Sequence, residues 1–141
     1  MTELSSDLIH ASCVAIGGRA VLLAGRSGAG KSDLALRLID RGAVLVSDDY
    51  SQVIRRDGRL HASPPARLVG KIEVRGVGIV EMPHLAEAEV ALLIDLEAPV
   101  TRLPEPQTRR LAGVDIPVAA LVALEASAPV KVEMLLRAIR R

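Results

Sequence analysis

The residues Gly25-Arg26-Ser27-Gly28-Ala29-Gly30-Lys31-Ser32 satisfy the spacing G-x-x-x-x-G-K-[ST] in full. These residue types suit a polyphosphate. Glycines let the backbone curl so that successive N–H groups converge on one anion. Lys31 adds a mobile positive charge for the β- and γ-phosphates, and the Ser32 hydroxyl is a hard oxygen suited to Mg2+. A helix starting here would add the positive end of its dipole. Asp48 and Asp49, further along, supply adjacent carboxylates.

Such a loop has to be fed by a buried strand and followed by a helix. Ala20-Val21-Leu22-Leu23-Ala24 is a short apolar run ending at Gly25, as that strand should be. Beyond Ser32, the residues Leu34, Ala35, Leu38 and Ile39 recur at helical spacing, with Asp33 and Arg37 paired on the opposite face. Gly42 stands where a helix C′ residue belongs. Ala43-Val44-Leu45-Val46 then reads as a second buried strand running into Ser47-Asp48-Asp49. Strand, loop, helix, strand and acid pair is the order of a nucleotide-binding βαβ unit. Upstream, Leu8 to Ile16 reads as a strand joined through Gly17-Gly18 to the run from Arg19, a β-hairpin. His10 falls early on that strand, at the end which the hairpin places beside the glycine loop. Taken alone it reads as a surface or strand-edge histidine.

Composition narrows the field. The chain has 141 residues, half of them apolar, and residues 1–141 read as one domain with a real core. That core must be aliphatic, because the chain has no Phe, no Trp and a single Tyr. A net charge of +1 gives no bulk attraction to nucleic acid or to an anionic membrane. Cys13 is the only cysteine and lies in an apolar run, where it reads as a small buried hydrophobe. The N-terminal stretch is polar and acidic, and no apolar run approaches the roughly 20 residues that span a bilayer. The expectation is a cytoplasmic protein.

The remaining chain supplies supporting elements. Tyr50 to Arg55 and Leu60 to Ala62 flank Asp57-Gly58 as a second hairpin, with Arg55, Arg56 and Arg59 as a solvated tip and His61 on the surface. Leu68 to Val80 reads as an extended stretch that places Glu73 and Arg75 on one side, most simply as a surface ion pair. Val90 to Leu96 is a further buried strand, and prolines keep Val100 to Gln107 extended or looped. Asp115-Ile116-Pro117 predicts a helix to about Glu125, by an N-cap followed by an early-turn proline. Ser127-Ala128-Pro129 predicts a last helix on the same grounds, with Val132, Leu135, Leu136 and Ile139 on its apolar face and Arg137, Arg140 and Arg141 at its end.

His10 ahead of a hairpin, GRSGAGKS followed by Asp33, RGAVLVSDDY ending at Tyr50, and EVRGVGI from Glu73 to Ile79 together resemble the C-terminal catalytic domain of HPr kinase/phosphorylase. The resemblance runs from His10 to Pro117, and EVRGVGI is its most specific part. It implies an α/β fold: a P-loop nucleotide-binding domain on a mixed, hairpin-containing sheet, similar to the nucleotide core of phosphoenolpyruvate carboxykinase, with C-terminal helices. It also implies ATP-dependent phosphorylation of a seryl hydroxyl on the phosphocarrier HPr, with phosphorolysis as a reverse activity. Residue by residue, Gly25 to Ser32 would hold ATP and Lys31 would meet the β- and γ-phosphates. Asp49 would be the base, His10 a catalytic histidine beside it, and Arg102 a catalytic arginine. Ser32 and Glu73 would be the Mg2+ ligands.

Two departures from the family pattern carry expectations of their own. The chain reads as a short form without the N-terminal domain of longer members. Where the family has a basic R-P-G-R-N stretch tied to the phosphorylase direction, this chain has Ala119, Ala120 and Leu121, with Arg109 and Arg110 upstream as substitute cations. The expected balance favours the kinase direction. The alternatives are a nucleotide-sensing module without catalysis and a small-metabolite kinase, which HPr-dependent use of ATP would separate. Oligomeric state stays open.

Overall fold

The structure, a computed structural model, describes residues 5–139. The chain enters through β1 (Ser6–Ile9), bends at His10 and continues as β2 (Ala11–Ile16), so the single strand expected from Leu8 to Ile16 is two. β1 pairs with β5 (Ser51–Arg56), whereas β2 turns through Gly17 (φ 57°) and Gly18 (φ 81°) to pair with β3 (Arg19–Ala24). Two successive residues of positive φ give the turn whose twist suits a two-residue hairpin. In its antiparallel register Ala11 faces Ala24, which brings His10 to the start of the glycine loop.

From β3 the chain passes through that loop into α1 (Lys31–Asp40). The helix stops at Arg41: the Gly42 N–H donates to Ile39 and the Ala43 N–H to Leu38, a Schellman closure with Gly42 at φ 112°. β4 (Val44–Ser47) then lies antiparallel to β2, and therefore points the same way as β3. The expected second hairpin forms between β5 and β6 (Arg59–Ser63). Its tip is less free than expected, because Arg56 and Arg59 pair with Glu87 and Glu89. His61 is half-buried rather than on the surface, 3.5 Å from Glu87.

The stretch expected to run extended through Arg75 instead folds back on itself. β7 (Lys71–Val74) and β8 (Gly78–Glu81) form a separate two-stranded sheet, with Arg75, Gly76 and Val77 as its turn. β9 (Ala88–Asp95) then runs parallel to β3 on one side; on the other it meets β6 at its start and β11 (Val114–Ala120) at its end. The helix expected from Asp115 to Glu125 is not formed. Ala112 (φ 47°) and Gly113 (φ 83°) turn β10 (Gln107–Leu111) back onto β11, and Val118 to Ala120 pair with Leu93 to Asp95. Sheet pairing with residues far away in sequence outweighs a local N-cap and proline pattern.

α2 (Ala128–Ala138) forms as expected, with Pro129 in its first turn. The Ser127 side chain does not cap it; the Ser127 carbonyl accepts from Lys131 N–H. Arg140 and Arg141 lie outside the described residues.

The strand order β1-β5-β6-β9-β3-β2-β4, with β11 beside β9, makes a nine-stranded mixed sheet. Alternate side chains of the central strands face opposite ways. Val21 and Leu23 of β3 join Leu34, Leu38, Val132 and Leu136 under the helices, whereas Ala20 and Leu22 join Cys13, Val53, Leu60 and Ile116 on the other face. Both faces of β3 are thus covered, as its unbroken apolar run requires. Burial pushes the Cys13 thiol well up, which leaves it an inert core residue.

Candidate active site

β3, β4 and β9 point the same way, and β2 starts at the edge where they end. This carboxyl edge collects the glycine loop after β3, the Ser47-Asp48-Asp49 turn after β4, and His10 before β2. The Gly25 N–H donates to the His10 carbonyl at 3.2 Å, which joins two of these segments directly. Within the loop a Cβ at Gly25 would sit 2.7 Å from the Ala29 Cβ, so position 25 admits no side chain. Gly30 has φ 93° and leads straight into α1, whose N-terminus faces the loop. Arg26, Ser27 and Gly28 are exposed there, and the Glu97 carboxylate accepts from the Arg26 N–H.

Lys31, Asp49 and His10 form one polar group. The Lys31 side chain is only 3% exposed; its Nζ lies 3.2 Å from Asp49 Oδ1 and donates to the Arg26 carbonyl at 3.0 Å. His10 Nε2 meets the same Asp49 Oδ1 at 3.0 Å, an arrangement in which Nε2–H is the donor because an ionised carboxylate can only accept. Tyr50 holds the imidazole from one face, with ring centroids 4.6 Å apart and planes within 5° of parallel. Asp49 Oδ2 has no hydrogen bond among the described residues, and the side chain is 43% exposed. One carboxylate oxygen is therefore held between Lys31 and His10, and the other is left without a hydrogen bond from the described residues.

The backbone that presents Asp49 is strained. Asp49 has φ 66°, and the Tyr50 N–H donates to the Asp48 carbonyl at 2.7 Å, closing a tight turn around it. Ser12 steadies this turn, since its Oγ accepts from the Asp49 N–H at 2.9 Å and donates to Asp48 Oδ1 at 3.0 Å. The Ser47 hydroxyl donates to the Tyr50 carbonyl across the same turn.

Asp48 is the residue the sequence reading left without a role. It is 5% exposed and accepts from Ser32 Oγ at 2.6 Å, from Ser12 Oγ, and through Oδ2 from the Glu73 N–H at 2.9 Å. This one carboxylate ties α1, β2 and the β7–β8 hairpin together. Ser12 carried a legible signal: a hydroxyl inside the apolar run of β2 has to find a partner. Tyr50 carried none, because its value lies in the ring it stacks against.

Ser32, Asp48 and Glu73 would offer hard oxygen donors of the kind Mg2+ takes. The Glu73 side chain is exposed on β7 and forms no ion pair among the described residues, so the surface ion pair with Arg75 is absent there. Arg102 stands exposed in the proline-rich connection between β9 and β10, where it makes no hydrogen bond or ion pair among the described residues. Arg109 and Arg110 are both engaged by carboxylates, Asp95 at 2.6 Å and Asp115 at 3.0 Å. Among the described residues no helix is long and apolar enough to cross a membrane.

The nine-stranded mixed sheet with its two helices matches the fold of the HPr kinase/phosphatase class. The solved structure of the Hpr(Ser) kinase/phosphatase from Coxiella burnetii matches with a TM-score of 0.80 at 29% identity, over 93% of this chain and 94% of that one. The HPr kinase/phosphorylase of Clostridium botulinum (strain Eklund 17B / Type B) is 38% identical over 96 residues, 63% of this chain and 32% of its own length. That of Lactobacillus acidophilus is 36% identical over 123 residues, 77% of this chain and 38% of its own length. The model of the HPr Serine kinase C-terminal domain matches residues 3–121, and the chain belongs to that family. It spans about a third of the length of these curated relatives, at 32% and 38%.

Proposed function

We propose that this domain transfers the γ-phosphoryl group of ATP to a seryl hydroxyl of an HPr-like phosphocarrier protein. The observation that carries the reading is the partly exposed Asp49 carboxylate, with Oδ1 held between Lys31 Nζ and His10 Nε2 and Oδ2 without a hydrogen bond among the described residues.

In this reading Gly25 to Ser32 form the P-loop, whose backbone N–H groups and α1 N-terminus hold the phosphates. The seryl oxygen forms the new bond to the γ-phosphorus as the bond to the β,γ-bridging oxygen breaks and ADP leaves. The hydroxyl proton passes to Asp49 Oδ2. A seryl hydroxyl is a poor nucleophile, so a carboxylate in place to take that proton is the main general-base requirement. His10 fixes the carboxylate's orientation, and Lys31 places positive charge where the phosphoryl oxygens gather. Ser32, Asp48 and Glu73 would hold Mg2+, whose contribution is to neutralise charge on the phosphates. Arg102 is assigned, from the family resemblance, to charge on the transferred group.

The test is a transfer assay with labelled ATP, Mg2+ and HPr purified from the same cell. Label appearing on an HPr serine supports the reading. ATP binding without transfer would favour a nucleotide sensor, and transfer to a small metabolite but not to HPr would overturn the choice of substrate.

A further inference from the structure

The connection from β11 to α2, residues 121–127, packs against the glycine loop. A Cβ at Gly30 would lie 2.8 Å from the Ala123 Cβ and 3.4 Å from the Leu124 side chain, so the connection rests on the residue immediately before Lys31. Its own turn closes loosely, with the Glu125 nitrogen 3.3 Å from the Val122 carbonyl. What holds it is α1. The Arg37 guanidinium donates to the Glu125 carbonyl through Nη1 at 3.0 Å and to the Ala123 carbonyl through Nη2. Its Nε donates to Asp33 Oδ2 at 2.9 Å, which sets the plane of the fork. One planar group thus meets three acceptors on two segments, a geometry that an arginine supplies and a lysine does not. The Arg37 side chain is 29% exposed, and Ala123 is buried.

We propose that Arg37 is a positioning residue for phosphoryl transfer: it clamps the 121–127 connection to α1 and so holds Gly30 and Lys31 in the conformation that receives the phosphates. The inference rests on the nucleotide reading of the glycine loop. Arg37 is the seventh residue of α1, about 9 Å along the axis from Lys31. Its three nitrogens are committed to Asp33, Ala123 and Glu125, so it acts on the phosphates only through the loop. α1 starts without a side-chain cap, from a glycine whose left-handed φ reflects its conformational freedom, so the first turn relies on packing from outside. Ala123 supplies that packing, and Arg37 holds Ala123 in place. The clamp therefore acts as preorganisation. Losing it lowers the fraction of molecules competent to bind, and bound triphosphate restores the order.

Equilibrium binding of ATP and of inorganic triphosphate to the full chain tests this, with Arg37→Met, Arg37→Lys and, as reference, Arg41→Met. Arg41 also ties α1 to α2, through a two-bond pair with Glu133, but its partner lies outside the 121–127 connection. Arg37→Lys keeps a cation beside Asp33 and should fold; circular dichroism with thermal melting checks every variant. Both Arg37 variants should bind each ligand about tenfold more weakly, the scale of one lost hydrogen bond to a charged group. The KM for ATP in transfer to HPr should rise by the same factor, with kcat within about twofold of wild type. Arg41→Met should bind as wild type does. Wild-type affinity in the folded Arg37 variants, an equal loss in Arg41→Met, or a fall in kcat with KM unchanged would overturn the positioning role and leave the nucleotide reading in place. Wild-type protein that binds neither ligand would overturn both. Ala123→Gly removes the methyl that meets Gly30, so it should weaken binding as Arg37→Met does, and the double variant should be no worse than either alone. Losses that multiply would show that Arg37 does not act through Ala123.

Discussion

Ser32 Oγ donates to Asp48 Oδ1 at 2.6 Å, so the last residue of the glycine loop and the first of the acid pair form one unit. Asp48 also receives Ser12 Oγ and the Glu73 N–H, which makes it the point where three segments of the site are joined. Asp48→Ala should leave these buried donors without an acceptor and cost about 1–3 kcal/mol of stability. Asp48→Asn retains an acceptor, so it should lose less stability yet still impair metal-dependent transfer. Urea unfolding of the two variants beside a Mg2+ titration checks this. Equal stability of Asp48→Ala and wild type would remove Asp48 from its joining role.

Asp49→Asn should separate binding from chemistry. It removes the proton acceptor and leaves the glycine loop intact, so Mg–ATP affinity should stay near wild type while transfer to HPr is abolished. Lys31→Ala should weaken binding and transfer together, because Lys31 also supports the loop through the Arg26 carbonyl. Calorimetric binding and labelled-phosphate transfer measure the two quantities; wild-type transfer by Asp49→Asn would show that the base lies elsewhere.

For Glu73→Gln the expected result is a higher Mg2+ concentration at half-maximal activity with little change in stability. The side chain is exposed and has no ion-pair partner among the described residues, and its backbone N–H bond to Asp48 survives the substitution. An unchanged Mg2+ titration would sink the ligand assignment.

Direction should favour the kinase over the phosphorylase. Phosphorolysis brings inorganic phosphate up to a phosphoserine, and the repulsion between the two anions has to be offset by cations or backbone donors. Ala119 and Ala120 are strand residues paired with Ile94 and Asp95, and Arg109 and Arg110 are already engaged by Asp95 and Asp115. Pyrophosphate release from phosphorylated HPr at rising phosphate should therefore run well below the forward rate at saturating ATP. Comparable rates in both directions would refute this.

A pH-dependent contribution to stability comes from Asp95, where β9 ends. Burial pushes its carboxyl up, but the bond from Arg109, those from the Glu97 and Ala98 N–H groups and the Arg109 charge outweigh burial and hold it below the usual range. A carboxyl lowered on folding stabilises above its unfolded value of about 3.9 and loses that contribution as pH falls toward the folded value. Arg109→Met should cost at most about 1 kcal/mol at neutral pH, the scale of a partly exposed pair, and the difference from wild type should shrink in acid. Urea unfolding at pH 7 and pH 3 measures both; a gap of the same size in acid would assign the effect to packing instead of charge.

Local signals along the chain were enough for the parts that depend on near neighbours. The strand–loop–helix–strand order from Ala20 to Val46, both glycine hairpins and the helix opened by Pro129 all formed where residue types called for them. The reason is that turn chemistry, capping and apolar periodicity act over a few residues. His10 and EVRGVGI gained meaning only through resemblance to a family.

Tertiary structure decided whatever depended on partners far away in sequence. The segment beginning Asp115-Ile116-Pro117 became a strand because β10 and β9 stood ready to pair with it, and Arg75 became a turn once β7 folded back on β8. Asp48 and Asp49 are adjacent and chemically identical in sequence. The γ-turn around Asp49 turns one carboxylate inward to Ser12, Ser32 and the Glu73 N–H, and the other outward between Lys31 and His10. Their different roles arise from burial and from which donors each carboxylate meets, and only the folded chain brings those donors together.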